Sequence, residues 1–402
     1  MSLKYGVETL AIPGPSVFPD RVLRAMHRRA PNIYEGELVE LTETLYPDLK
    51  RVACTKGDVA IYIGNGHAAW EATLANTVNA GEKVLVLNTG RFAQGWGGVA
   101  KTLGIDVVEI DFGKRDVIDL DQAEAVLRAD RTHAFKAVLI TQTDTASSVS
   151  NDVSAFGKML RGTKHPALFM VDCMASLGTE EHCMDDWGVD VMMSGSQKGL
   201  MTPPGLCFVW FNDKAKKARN RLDRVSYYWD WTPRVTAEYY YQKFAGTAPT
   251  NHLYGLRVAL DMILKEEGLE HVWARHDRIA RAIWAAIDSW AEGGALYMNV
   301  ENPAHRSKAV TAVTAPGRLG QALQTYCRDQ AGVTLGVGLG MADRLQPEFG
   351  DFFRIGHMGH LNAHMIMGTL GAIDMALKAE SVPHGQDALA KAAAVLATGA
   401  PL

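Results

Sequence analysis

The chain has 402 residues, 21% of them charged, with a formal net charge of -4 at pH 7; that length suggests two domains and leaves ample interior for a large core. The near-balanced charge argues against a polyanion partner or an anionic membrane surface and fits a small soluble substrate better. Five cysteines (Cys54, Cys173, Cys183, Cys207, Cys327) form no C-x-x-C pair, which argues against a disulfide framework and a structural zinc site. The N-terminus lacks a basic stretch followed by an apolar core, and no run approaches bilayer length, so the expectation is a cytoplasmic protein.

The chain opens with the rigid turn Ile12-Pro13-Gly14-Pro15-Ser16, which leads an arm toward a helix expected from Asp20 to Arg28 with Asp20 as its cap. Glu35 to Thr55 reads as helical, interrupted by Pro47, with Leu38, Leu41, Leu45 and Leu49 at spacings of three or four. Apolar runs then alternate with helix-like stretches. Val59 to Ile63 reads as a strand, Gly64-Asn65-Gly66-His67 as a turn, and Ala68 to Val78 as a helix. A glycine turn feeding a helix N-terminus presents unpaired N–H groups and the positive end of the helix dipole, a phosphate site. The turn also matches G-x-G-x-x-A, but the acidic residue that a dinucleotide site needs after the next strand is missing: Lys83 to Leu87 ends in Asn88-Thr89, and Glu82 precedes it. The phosphate of another cofactor is the better reading.

Further strands are expected at Val107 to Ile110, Ala137 to Ile140, Leu168 to Val171, Val189 to Met193 and Leu206 to Phe211. Helices are expected at Trp96 to Leu103, Leu120 to Ala129 and Ser154 to Arg161. This alternation implies a mostly parallel sheet with helices on both faces, where ligands gather at the carboxyl ends of the strands. Arg221 to Gln242 has no clear period and reads as loop plus short helix. Beyond it come a turn at Phe244 to Pro249, a helix from Asn251 to Glu267, and an amphipathic helix with Val272, Ile279, Ile283, Ile287 and Trp290 on one face. The remainder reads as a smaller mixed domain, with strands near Ala309 to Val313 and Phe352 to Ile355 and helices near Leu319 to Ala331 and Ala363 to Ala376.

Three residues point to chemistry. Lys198 lies between the apolar runs that end at Met193 and begin at Leu206. A lone ammonium there loses hydration without a partner, and desolvation makes an amine nucleophilic enough for a Schiff base with a carbonyl cofactor. A surface lysine at a strand end is the plain alternative. Asp172 closes an apolar run, where it either caps a turn or partners a protonated pyridine nitrogen. Arg354 sits inside Phe352 to Gly356 and needs a carboxylate or phosphate, from an internal acid or from a substrate.

Taken together, these segments resemble the class V aminotransferases of fold type I, which use pyridoxal 5'-phosphate, and within them the serine-glyoxylate and alanine-glyoxylate group. The segments that carry the likeness are Pro13-Gly14-Pro15, Gly64 to His67, Thr141 to Ser148, Val171 to Gly178, Ser194 to Lys198, Pro203-Pro204-Gly205 and Arg354-Ile355-Gly356. The resemblance implies an α/β fold: an arm (1–20), a large domain (21–265) with a mostly parallel seven-stranded sheet, and a smaller α+β domain (266–402). It implies that Lys198 holds the cofactor covalently and Asp172 its pyridinium proton. Asn65, Gly66, His67 and Gln197 would serve the phosphate, joined by Thr247 from a second subunit of a homodimer. Thr145 would lie near the phenolic oxygen, with Met174 and Phe92 on the two ring faces, and Arg354 beside Gly14 would take the substrate carboxylate.

The chain departs from relatives at three positions, with Phe92 where tryptophan is frequent, Phe244 where a tyrosine reaches the neighbour's phosphate, and Asn65 for serine or threonine. The implied reaction is ping-pong transfer of an amino group from serine, alanine or aspartate to a 2-oxo acid such as glyoxylate or pyruvate. Two other readings stand beside it: a cysteine desulfurase on the same scaffold, and a non-catalytic binding protein. Gln197 before the lysine, where desulfurases carry histidine, and the absence of cysteine from Thr334 to Arg344 favour transamination.

Overall fold

Along the central strands, successive side chains go to opposite sides, and both sides are buried. Ile61, Leu85, Val138, Phe169 and Met192 enter one core, while their neighbours Ala60, Val84, Ala137, Met170 and Val191 enter another. A sheet apolar on both faces must be sandwiched between helices, and the computed structural model, which describes residues 2–398, shows that arrangement.

The strands are β1 (Thr9–Ala11), β2 (Asp58–Gly64), β3 (Lys83–Asn88), β4 (Asp106–Asp111), β5 (Phe135–Thr141), β6 (Leu168–Asp172), β7 (Val191–Gly195), β8 (Gly205–Phe211), β9 (Tyr297–Met298), β10 (Val310–Thr314), β11 (Val333–Val337) and β12 (Phe352–Gly356). The larger sheet has seven strands in the order β2-β8-β7-β6-β5-β3-β4. Only β8 runs against its neighbours, so the carboxyl ends of the other six lie along one edge. The smaller sheet has the order β1-β11-β12-β10-β9 and packs on the helices Leu269–Ala291, Leu319–Ala331 and Ala363–Ala379.

Most expected elements form within two or three residues; the helix expected from Trp96 starts five residues earlier, at Arg91, where the Asp144 carboxylate takes the first N–H groups. Pro47 does not interrupt its helix, which runs unbroken from Glu37 to Val52. Leu38, Leu45, Leu49 and Val52 bury its inner face, and that packing outweighs the roughly 3 kcal/mol an internal proline costs. Asp20 is not a cap; the helix Asp20–Met26 starts from the Pro19 carbonyl, and Asp20 occupies the first turn. The helix beginning at Thr250 is α-helical to Asp261 and continues as a π-helix from Met262 to Glu267.

Sequence reading supplied no strand for β1, β9 or β11. β1 and β9 are too short to show alternation, and β11 is a five-residue strand interrupted by Gly336. β1 matters most, because it pairs in parallel with β11 and makes the N-terminal arm part of the smaller sheet. The core on one face of the larger sheet extends to Val272, and the core of the smaller begins at Ile279, so the helix Leu269–Ala291 spans both.

Candidate active site

Four carboxyl ends of parallel strands converge on one cavity of about 270 Å³. β2 delivers Asn65, Gly66 and His67; β5 delivers Thr145; β6 delivers Asp172 and Met174; and β7 delivers Gln197 and Lys198. Gly14 from the arm and Phe92 from the helix Arg91–Thr102 complete the same wall. A second cavity of about 320 Å³ shares Gly14, Phe92, Thr145 and Lys198 with the first and adds Arg354. The lysine thus stands where the two spaces meet.

Lys198 is half-buried with its ammonium enclosed by protein, and burial pulls its pKa down to about 8; the Arg354 charge acts in the same direction and Asp172 opposes it. Its Nζ donates to the Pro13 carbonyl. Ser16 fastens the same loop, its N–H donating to the Gln197 carbonyl (2.9 Å) and its Oγ to the Lys198 carbonyl (2.9 Å). Gly14 has φ +127°, and a Cβ there would run into the Lys198 side chain, so glycine is required on both counts.

Asp172 is fully enclosed at the end of β6. Burial raises its carboxyl to about 6, the nearby Asp144 adding to the shift. The Met174 N–H (2.7 Å to Oδ1), the Trp70 indole N–H (2.8 Å to Oδ2) and the Lys198 charge hold it down against that. At the other end of the cavity the helix Gly66–Ala75 begins. Asn65 caps it, its Oδ1 accepting from His67 N–H (3.1 Å) and Ala68 N–H (3.4 Å). The His67 N–H expected at a phosphate is therefore engaged by Asn65, which leaves the Gly66 N–H and the helix dipole. A Cβ on Gly66 would meet Met174 Cε at 2.8 Å, so glycine here lets Met174 lie over the cavity floor.

Arg354 lies in the middle of β12, with only 5% of its surface exposed. Nε donates to the Val337 carbonyl (2.6 Å) and Nη1 to the Thr145 carbonyl (2.7 Å). Nη2 has no hydrogen-bond partner among the described residues, and no carboxylate pairs with the guanidinium there. Burial lowers its pKa to about 10, opposed by the charge of Asp144. A buried guanidinium with an unfilled donor, at the floor of a cavity, is built to receive an anion.

Two cavity atoms are buried without partners, Thr141 Oγ1 and Gln197 Oε1. Such orphans in a polar cavity fit a ligand that brings its own donors and acceptors. Thr247 is exposed and lines neither cavity of its own chain, and Phe244 is buried in the core against Tyr240.

A sequence profile of the aminotransferase class-V family matches residues 58–357. The chain belongs to that family. This aminotransferase is 34% identical to a serine–glyoxylate aminotransferase of Arabidopsis thaliana over 382 residues, covering 94% of this chain and 92% of the relative. It is 33% identical to an L-aspartate–glyoxylate aminotransferase of Paracoccus denitrificans, covering 92% and 91%. Its structure resembles the crystal structure of an alanine–glyoxylate aminotransferase from Nostoc sp., with a TM-score of 0.82, 26% identity and coverage of 93% and 96%. Family membership makes the chain an enzyme and removes the reading of a binding protein that merely kept the fold.

Sequence reasoning missed Trp70, Asp144 and the clamp made by Ser16. Trp70 had a signal, because it lies four residues after Gly66 on the helix that opens at the cavity, hence on the same face. Asp144 adjoins Thr145, and its buried carboxylate accepts the N–H groups of Phe92 (2.7 Å), Ala93 (3.3 Å) and Ala146 (2.9 Å). It thereby caps the helix that carries Phe92.

Proposed function

We propose that this aminotransferase carries pyridoxal 5'-phosphate on Lys198 and moves an amino group from a small L-amino acid to a 2-oxo acid such as glyoxylate or pyruvate, in a ping-pong cycle. The observation that carries the reading is the enclosed Lys198 ammonium at the junction of two cavities, one holding Asp172 and the other Arg354. Bound there, the cofactor supplies an electron sink that acidifies the Cα–H of the donor. The residues supply the rest. Asp172, as a carboxylate, would accept a hydrogen bond from the protonated ring nitrogen and so keep the proton on that nitrogen. Arg354, next to Gly14, takes the α-carboxylate through Nη2. Met174 and Phe92, which line the cavity, would flank the ring and keep water off it, and Thr145 would serve its phenolic oxygen. Lys198, as a neutral amine, removes the Cα proton and later returns it. The helix start at Gly66 would receive the phosphate, with Gln197 and Asn65 beside it, and the His67 N–H would join only by leaving Asn65.

The relatives named above use serine, aspartate and alanine as donors with glyoxylate, which supports glyoxylate as the acceptor here. The same reading includes a homodimer in which Thr247 reaches the phosphate of the neighbouring subunit, a division into arm (1–20), large domain (21–265) and small domain (266–402), and a cytoplasmic location. No helix among the described residues is long and apolar enough to cross a membrane. A desulfurase would need a reactive cysteine at the substrate, and no cysteine lines either cavity. Cys173, next to Asp172, is buried, its thiol pushed well above its ordinary pKa, and its Sγ donates to Gln142 Oε1 (3.5 Å).

The test is a half-reaction screen. The purified protein is expected to bind pyridoxal phosphate with an absorbance band near the visible edge, fixed onto Lys198 by borohydride. The band should shift with serine, alanine or aspartate and return with glyoxylate. A Lys198→Ala protein that transaminated as fast as the wild type would sink the assignment.

A further inference from the structure

Asp172 can hold a proton on a ring nitrogen only while its carboxylate is ionised and turned toward the cavity. Its surroundings favour neither condition by themselves. Full burial drives the carboxyl toward its neutral form, and the like charge of Asp144 pushes the same way. Three groups oppose this: the Met174 N–H, the Trp70 indole N–H and the Lys198 ammonium. The Lys198 charge disappears whenever that amine acts as a base, and the Met174 N–H engages Oδ1 alone. Oδ2 is held by Trp70 at 2.8 Å, in a contact between two buried side chains.

The indole has little freedom to do anything else. Trp70 is 2% exposed and packs within the core on one face of the larger sheet. His67 tilts against its ring at 4.6 Å between centroids, and Phe92 lies at 6.3 Å. The helix Arg91–Thr102 presses on the far edge of the indole through Gly95, where a Cβ would come within 3.1 and 3.2 Å of two ring carbons. Asp172 is the one acceptor that Trp70 Nε1 has among the described residues.

We propose that Trp70 is a positioning residue for Asp172, its indole N–H fixing the carboxylate in the rotamer that presents Oδ2 to the cavity. Each carboxylate oxygen has two lone pairs, so Oδ2 accepts from Trp70 and keeps one for the ring proton. The assignment rests on the proposed pyridoxal phosphate chemistry for its purpose, while the contact itself does not.

Trp70→Phe keeps an aromatic ring and removes the N–H. In apoprotein labelled with 13C-carboxyl aspartate, with the Asp172 signal assigned by its loss in Asp172→Asn, the carboxyl midpoint should rise by about one unit in Trp70→Phe, the worth of one hydrogen bond to a charged acceptor. Cofactor affinity should fall about tenfold in Trp70→Phe, and the same change made in an Asp172→Asn background should cost nothing further. An unmoved Asp172 midpoint overturns the proposal, and so does an equal loss of affinity in both backgrounds, which is the signature of packing alone. Should Trp70→Phe fail to fold, the wild-type apoprotein carries the test. Its Trp70 indole 1H–15N signal should shift with the Asp172 titration and lose that inflection in Asp172→Asn; a flat signal in the wild type counts against the contact. If no protein binds pyridoxal phosphate, the functional reading falls, and the apoprotein titrations still decide the role of Trp70.

Discussion

Burial first, and the like charge of Arg354 second, make Lys198 usable near neutral pH, while Asp172 works against both. Only the neutral amine attacks a carbonyl, so capture of pyridoxal phosphate by the apoprotein should accelerate as pH rises through about 8 and level off above it. Arg354→Gln removes a cation from beside the ammonium, so Lys198 should hold its proton to higher pH and the capture profile should move upward. Stopped-flow absorbance across roughly pH 6 to 10 would show this. A midpoint that stays in place in the variant would mean that Arg354 does not act on Lys198. All three central groups, Lys198, Asp172 and Arg354, were legible in the sequence for one reason: a charged residue inside or closing an apolar run is costly unless it has a task. Trp70 and Asp144 escaped because an indole in a helix and an acid in a polar turn carry no such cost until their contacts are known.

Elements deliver those residues, and the helix Gly66–Ala75 shows how closely local rules and function overlap. Its start was readable from Gly64 to His67, yet the chain spends two of the free N–H groups on Asn65 instead of leaving them all for an anion. Asn65→Ala should therefore lower the stability of the apoprotein by about 1 kcal/mol, whereas Asn65→Ser, which preserves a capping oxygen, should cost a few tenths at most. Saturating cofactor should recover part of the alanine loss, because a phosphate at the same helix start would take over the exposed N–H groups. Urea unfolding with and without cofactor measures both effects, and an apoprotein indifferent to Asn65→Ala would show that the cap contributes nothing. The larger sheet was legible for a related reason: its strands other than the edge strand β4 are five to seven residues long and apolar on both faces. β1, with three residues beside a proline turn, has no pattern of its own; its pairing with β11 comes from tertiary contact.

At the scale of the molecule, the candidate site is assembled from both sheets, and two devices hold the halves in register. One is Glu180, whose carboxylate accepts from Thr143 (3.2 Å) and Ser150 (3.1 Å) on the larger-sheet side and from Ser307 Oγ (3.3 Å) and Lys308 N–H (3.1 Å) on the other. The other is the arm. β1 belongs to the smaller sheet, Val17 bridges to Gly359, and between them Pro13 and Ser16 grip the Lys198 loop that belongs to the larger. Asp172 and Met174 need none of this, because β6 positions them. A chain lacking residues 1–16 should accordingly fold through its two cores and the Glu180 junction and still capture cofactor on Lys198. Its turnover should fall by about 10² or more, since Arg354 and Lys198 would no longer be held at a fixed separation. Comparing the capture rate with kcat/KM for a donor amino acid separates the two steps. Turnover equal to that of the full chain would show the arm to be a passenger, and loss of cofactor capture as well would place it in the cofactor site itself.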